Sequence, residues 1–158
     1  MTTAVRLTAA GEAHAALLAA LHGRCFEDAW STQAMAEVLA SPGAFAYVAV
    51  GGADGREDRP LGFALARRTG DDAELLTLCV LAEERRRGVG AALLDEVVER
   101  ARQTGARRLF LEVAETNEPA RALYAARGFA AGRRRPDYYR GANRVPIAAL
   151  ELSRDLTA

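Results

Sequence analysis

Apolar positions along this chain follow two rhythms. Over residues 12–26, Leu17, Leu18 and Leu21 form a stripe at helical spacing amid helix-favouring Ala. Ser31 is a suitable N-cap for a second helix reaching about residue 40, closed by Ser41-Pro42-Gly43. Residues 5–7, 44–50, 61–68 and 74–81 read as strands, with a polar loop over 51–60 and a turn at Thr69-Gly70-Asp71-Asp72. Beyond them, residues 88–104 put Leu93, Leu94, Val97, Val98 and Ala101 on one helical face, with Gly105 as the stop. Residues 107–113 read as a strand, 118–127 as a helix ended by Gly128, and 129–139 and 145–152 as two closing strands.

This order implies an α/β fold on a mixed sheet, with about four helices. Antiparallel strands come first, then a central parallel strand–helix–strand–helix unit, then a closing C-terminal hairpin. No repeat or long linker interrupts the 158 residues, so one domain over 1–158 is expected. Half the chain is hydrophobic and 27% charged, a globular balance that excludes a disordered tail. Basic and acidic residues both total 21, every basic one Arg, which argues against a polycation built for nucleic acid. No apolar run approaches the roughly 20 residues of a membrane span. The N-terminus lacks the charged-then-apolar order of a secretory signal, so the cytoplasm is the expected compartment. Cys25, Cys79, His14 and His22 show no metal-ligand spacing, and no metal is expected. Cys79 reads as a small buried hydrophobe, with a bond to Cys25 left open.

The chemistry concentrates after the strand at 74–81. Arg85-Arg86-Arg87-Gly88-Val89-Gly90 stands at a helix start, where glycine lets a ligand approach the main chain. First-turn N–H groups have no helical partner there, so with the helix dipole they suit a pyrophosphate. Flanking Arg residues add charge-assisted contacts. The pattern is neither a Walker loop nor a dinucleotide fingerprint, and alone it equally describes a plain strand-to-helix turn. Glu112 shares one face of its strand with Phe110, and a carboxylate among apolar neighbours is a candidate general base. Asn117 reads as a helix cap that could also hold a ligand amide, and Tyr124 as a core residue that could also present a phenol.

Taken together, Arg85-x-x-Gly88-x-Gly90 and Asn117-x-x-Ala120-x-x-Leu123-Tyr124-x-x-x-Gly128-Phe129 resemble the two motifs of the GNAT family of N-acetyltransferases. Asp28-Ala29-Trp30-Ser31, Leu111-Glu112-Val113 and Tyr138-Tyr139 are similar to the RimI-type group, which acetylates the N-terminal alanine of ribosomal proteins. The resemblance implies acetyl-CoA as co-substrate, with Leu78, Cys79, Val80, Arg86, Arg87, Gly88, Val89, Gly90 and Ala91 against it. Arg85 belongs to the same motif, and Asn117 would hold the pantetheine arm. It further implies Glu112 as general base, Tyr124 as general acid, and a small-subunit ribosomal protein as partner. Tyr138 and Tyr139 would lie on the acceptor side, and Trp30 either lines the peptide groove or anchors the helix hairpin. The chain carries Val145-Pro146-Ile147-Ala148-Ala149 where members of the group have an acidic residue. The run Arg133-Arg134-Arg135 with Arg140 could stack on RNA bases, but is more simply a solvated strand face or the groove rim.

Overall fold

The computed structural model describes residues 4–52, 59–140 and 145–157. Strand β1 (Ala4–Ala10) leads through a short 3-10 turn (Glu12–His14) into α1 (Ala15–Cys25) and α2 (Thr32–Ala40). β2 (Ala44–Gly52), β3 (Pro60–Thr69) and β4 (Asp72–Val80) follow, then a 3-10 turn (Ala82–Glu84) and α3 (Val89–Gln103). β5 (Arg108–Ala114), α4 (Glu118–Ala126), β6 (Ala130–Arg140) and β7 (Pro146–Asp155) complete the order. The body of the expected 51–60 loop, residues 53–58, lies outside the described residues. The first helix begins three residues later than its apolar stripe suggests, because Glu12–His14 winds as a tighter turn.

The strands form one sheet in the order β1-β2-β3-β4-β5-β7-β6. β4 and β5 are parallel neighbours, as the intervening α3 requires, and the other pairs are antiparallel. The expected mixed α/β sheet is therefore the observed one. Leu93, Leu94, Val97, Val98 and Ala101 of α3 are buried on one face of it, together with Leu109, Leu111 and Val113 of β5. Leu18 of α1 and Met35 of α2 are fully buried on the opposite face, against Phe63 and Leu65. Each side chain of this size contributes roughly 1.5–3 kcal/mol when removed from water.

One departure from regularity positions everything that follows. β4 pairs with β5 only from Asp72 to Glu74, against Arg108 to Phe110. On its other edge β4 carries an extra residue: Leu65 faces Thr77 and Ala66 faces Leu75, leaving Leu76 bulged. A bulge bends and twists its strand. β5 meanwhile stays in register with β7 as far as Ala114. The two parallel strands therefore diverge, and a wedge opens toward their C-terminal ends.

Candidate active site

Leu81 N–H donates to Leu61 O, so Cys79 likewise points its main chain at β3 and the intervening residues point theirs the other way. The N–H groups of Leu78 and Val80 accordingly face the wedge. Arg85 Nε donates to Val80 O at 3.1 Å, tying the following loop to the strand end. Within that loop Arg86 and Gly88 both take left-handed backbone angles, φ +64° and +82°. A non-glycine residue is rarely held so, and such points cluster at ligand clamps. Gly88 is the N-cap of α3, and no side chain caps the helix there. The N–H groups of Val89, Gly90 and Ala91 thus point outward without helical partners. A Cβ built on Gly88 meets nothing within 4 Å, so open space lies before the helix mouth. A Cβ on Gly90 would come within 3.4 Å of Leu123 and 3.6 Å of Val80, which puts α3, α4 and the end of β4 around one cleft. Open space, uncapped N–H groups and nearby Arg side chains fit a diphosphate.

Beneath the loop sits Glu84, 2% exposed, paired with Arg59 and, at 3.6 Å, with Arg87. The sequence shows Glu83-Glu84 beside an Arg run but not that one carboxylate is internal, so this anchor escaped the sequence reading. Asn117 caps α4 by accepting from Ala120 N–H at 3.2 Å. Its oxygen is in use, and what it can offer a ligand amide is its NH2 group. Tyr124 is 6% exposed with its ring edge-on to Phe129 at 5.7 Å. It belongs to the core layer on the α3 side of the sheet.

Glu112 lies on the other face, since it alternates with the buried Leu111 and Val113. Glu112 and Tyr124 therefore lie on opposite faces of the sheet. Oε1 of Glu112 accepts from Arg135 Nη2, while Oε2 is buried with no hydrogen-bond partner among the described residues. Directly across the ladder stands Glu151 of β7, and Glu74 of β4 is close enough to feel both charges. Burial pushes the Glu74 carboxyl above its ordinary range; Arg67 pulls it down, Glu112 and Glu151 raise it further, and Arg135 lowers it. Arg134 makes a two-pronged pair with Glu115, at 2.7 and 3.0 Å. Two members of the Arg133–Arg135 run are thus neutralised by neighbouring carboxylates, which leaves little of the run for RNA.

The structure resolves the remaining sequence candidates as follows. Cys79 is 1% exposed, as a buried hydrophobe would be, but it is bonded to Cys25 across 6.2 Å between Cα atoms. The end of α1 lies over β4 at a separation a disulfide spans, which spacing in sequence could not reveal. With its sulfur turned to α1, Cys79 has only its main chain to offer a ligand. Trp30 packs on the α1–α2 core and stacks on His22 at 5.1 Å. The Trp30 main-chain N–H donates to His22 Nδ1 at 3.2 Å, and the packed, stacked ring anchors the helix hairpin. Tyr138 is half exposed beneath the Arg135 guanidinium, 4.5 Å from ring centre to carbon. Tyr139 pairs with Ile147, and its side chain lies outside the described residues. An open depression of about 310 Å³ beside α4, lined by Arg121, Phe129 and Leu152, contains none of these candidates.

A family model described as acetyltransferase (GNAT) family matches residues 15–129, and the chain belongs to that family. It stands therefore among the acetyl-CoA-dependent N-acetyltransferases. Its sequence is similar to the [ribosomal protein bS18]-alanine N-acetyltransferase of Salmonella typhimurium, 34% identical over 100 residues, or 61% of this chain and 68% of that protein. The crystal structure of the ribosomal-protein-S18-alanine N-acetyltransferase from Escherichia coli superposes with a TM-score of 0.87 at 21% identity, covering 98% of this chain and 96% of the other. Arabidopsis thaliana NAA60 in complex with acetyl-CoA gives 0.81 at 21% identity, covering 98% and 100%. Likeness at these identities is a likeness of fold.

Proposed function

We propose that this protein transfers the acetyl group of acetyl-CoA to the N-terminal α-amine of a protein, a ribosomal protein beginning with alanine, by direct attack in a ternary complex. The reading rests on one observation above all: β4 and β5 part beyond Glu74 and Phe110, near the uncapped mouth of α3; the proposal sets the Glu112 carboxylate and the Tyr124 phenol on either side of that gap. The named activity of the Salmonella relative supplies the acceptor class. The cytoplasm is the compartment this reading implies.

Acetyl-CoA supplies an activated acyl carbon and a thiolate that must leave. The N–H groups of Val89, Gly90 and Ala91, with Arg86 and Arg87 beside them, would hold its diphosphate. Val80 N–H, pointing into the wedge, would donate to the acyl oxygen, where a fixed dipole helps most as charge develops. Asn117 would hold the pantetheine amide. Glu112 takes the proton of the attacking amine, directly or through one water, and Tyr124 returns one to the departing sulfur. A peptide α-amine has a pKa of roughly 7.7–8.0 against roughly 10.4 for lysine. About a tenth of α-amines are already neutral at pH 7, so a carboxylate is a sufficient base for them and a poor one for lysine. The test is incubation with acetyl-CoA and a peptide library varied at its first residue, alongside small amines, read by mass. Acetylation of Ala-starting peptides is expected; acetylation of small amines alone would overturn the acceptor, and CoA binding without any transfer would overturn the enzyme.

A further inference from the structure

Glu112 is largely covered as it stands. Arg135 occupies Oε1, and Oε2 is buried without a hydrogen-bond partner among the described residues. A general base must offer a lone pair within roughly 2.6–3.2 Å of the proton it takes, or reach it through one water. Something must move before this carboxylate can serve an acceptor. The group on Oε1 is Arg135, whose side chain is 46% exposed against 19% for Glu112 and so has solvent to move into. Arg135 also stands where the β6–β7 ladder breaks. The pairing jumps from Arg135 to Tyr139, over Pro136, which has no N–H to give, and Asp137, held at φ +60°.

We infer that Arg135 is a latch on Glu112, its guanidinium standing where the acceptor's ammonium must sit, and that the incoming amine displaces it. This rests on the functional reading above. The exchange is balanced in charge. Glu112 faces Glu151 across the ladder, with Glu74 nearby; Arg108 lies 3.8 Å from Glu151 and Arg67 offsets Glu74, so Arg135 is the cation that answers Glu112 itself. An amine arriving as an ammonium ion replaces the guanidinium like for like, while a neutral alcohol of the same shape would leave Glu112 uncompensated. The guanidinium lies over the Tyr138 ring while it pairs with Glu112, so the aromatic face helps hold the latch in place. Arg135 thus acts through Glu112 as a positioning residue and selects for cationic acceptors.

The experiment compares wild type with Arg135→Ala and Arg135→Lys, using an Ala-starting hexapeptide and acetyl-CoA. Removing the latch should lower the peptide KM about two- to five-fold, the size a half-exposed ion pair supports. The KM for acetyl-CoA should stay unchanged, and Arg135→Lys should return the peptide KM toward wild type. A fall in kcat at unchanged peptide KM would overturn the latch and make Arg135 a prop for the base. A raised peptide KM would overturn it by making Arg135 a substrate contact. Calorimetric binding of the peptide to CoA-loaded protein, which needs no turnover, should tighten by the same factor in Arg135→Ala. A protein that binds peptide this way but acetylates nothing would sink the enzymatic reading and spare the latch. Thermal melts of each variant show whether the fold is kept.

Discussion

Replacing Gly88 separates backbone strain from loss of the anion site, because the structure assigns each a different size. At φ +82° a residue with a Cβ is in the left-handed region, which costs about 1–2 kcal/mol. Against a domain stability of about 5–15 kcal/mol this leaves the fold intact. For a chain of this length it lowers Tm by about 2–8 °C. Binding should suffer far more in Gly88→Val. The new side chain meets no protein atom within 4 Å of its Cβ, so its methyl groups extend into the space before the helix mouth. Charge-assisted hydrogen bonds contribute roughly 1.5–3 kcal/mol each, so loss of two would weaken CoA binding by about 3–6 kcal/mol, or roughly 10²–10⁴ in Kd. Gly88→Ala carries the strain with less reach and should fall between. The assay pairs a ligand-free melt with calorimetric titration of CoA. A Gly88→Val protein that melts in the stated window yet binds CoA as tightly as wild type would show that the diphosphate lies elsewhere.

Three further outcomes follow from the same geometry. Glu112→Gln and Tyr124→Phe should each reduce kcat by about 10²–10⁴ while the Kd for CoA stays put; unchanged turnover in either removes that residue from the chemistry. Burial holds the His22 pKa below its ordinary 6.5, and the hydrogen bond from the Trp30 main-chain N–H requires Nδ1 unprotonated. The unfolded chain therefore gains a proton more readily than the native one. Its stabilising contribution is complete above pH 6.5 and is lost as pH falls through the native pKa. Wild type should lose Tm on going from about pH 7.5 to 5.5 more steeply than His22→Gln, and equal slopes would refute the assignment. Reducing Cys25–Cys79, which closes a loop of sequence separation 54, should remove about 4 kcal/mol, or about 8–16 °C of Tm. Melts with and without a dithiol, with free thiols counted by mass, decide it; coincident melts with both thiols free would contradict the bond's role.

Much of this architecture is local information. The α3 stripe, the glycine stops and the Asn117 cap are set by neighbours within a few residues, so periodicity and capping chemistry suffice to place them. The helix order alone makes β4 and β5 parallel. The uncapped start of α3 is legible too, because Gly-x-Gly there marks a helix mouth that no side chain caps. Other features depend on residues brought together from afar. The bulge at Leu76 opens the wedge, yet it is a matter of register between β3 and β4 and leaves no mark on composition. Arg135 reads in sequence as part of a solvated run and turns out to cover Glu112, 23 residues away. Nothing in the sequence marks Glu84 as internal, and Cys25 meets Cys79 because a helix end crosses a strand. Burial and charge pairing are properties of what lies across the molecule, and a one-dimensional pattern carries only what lies along it.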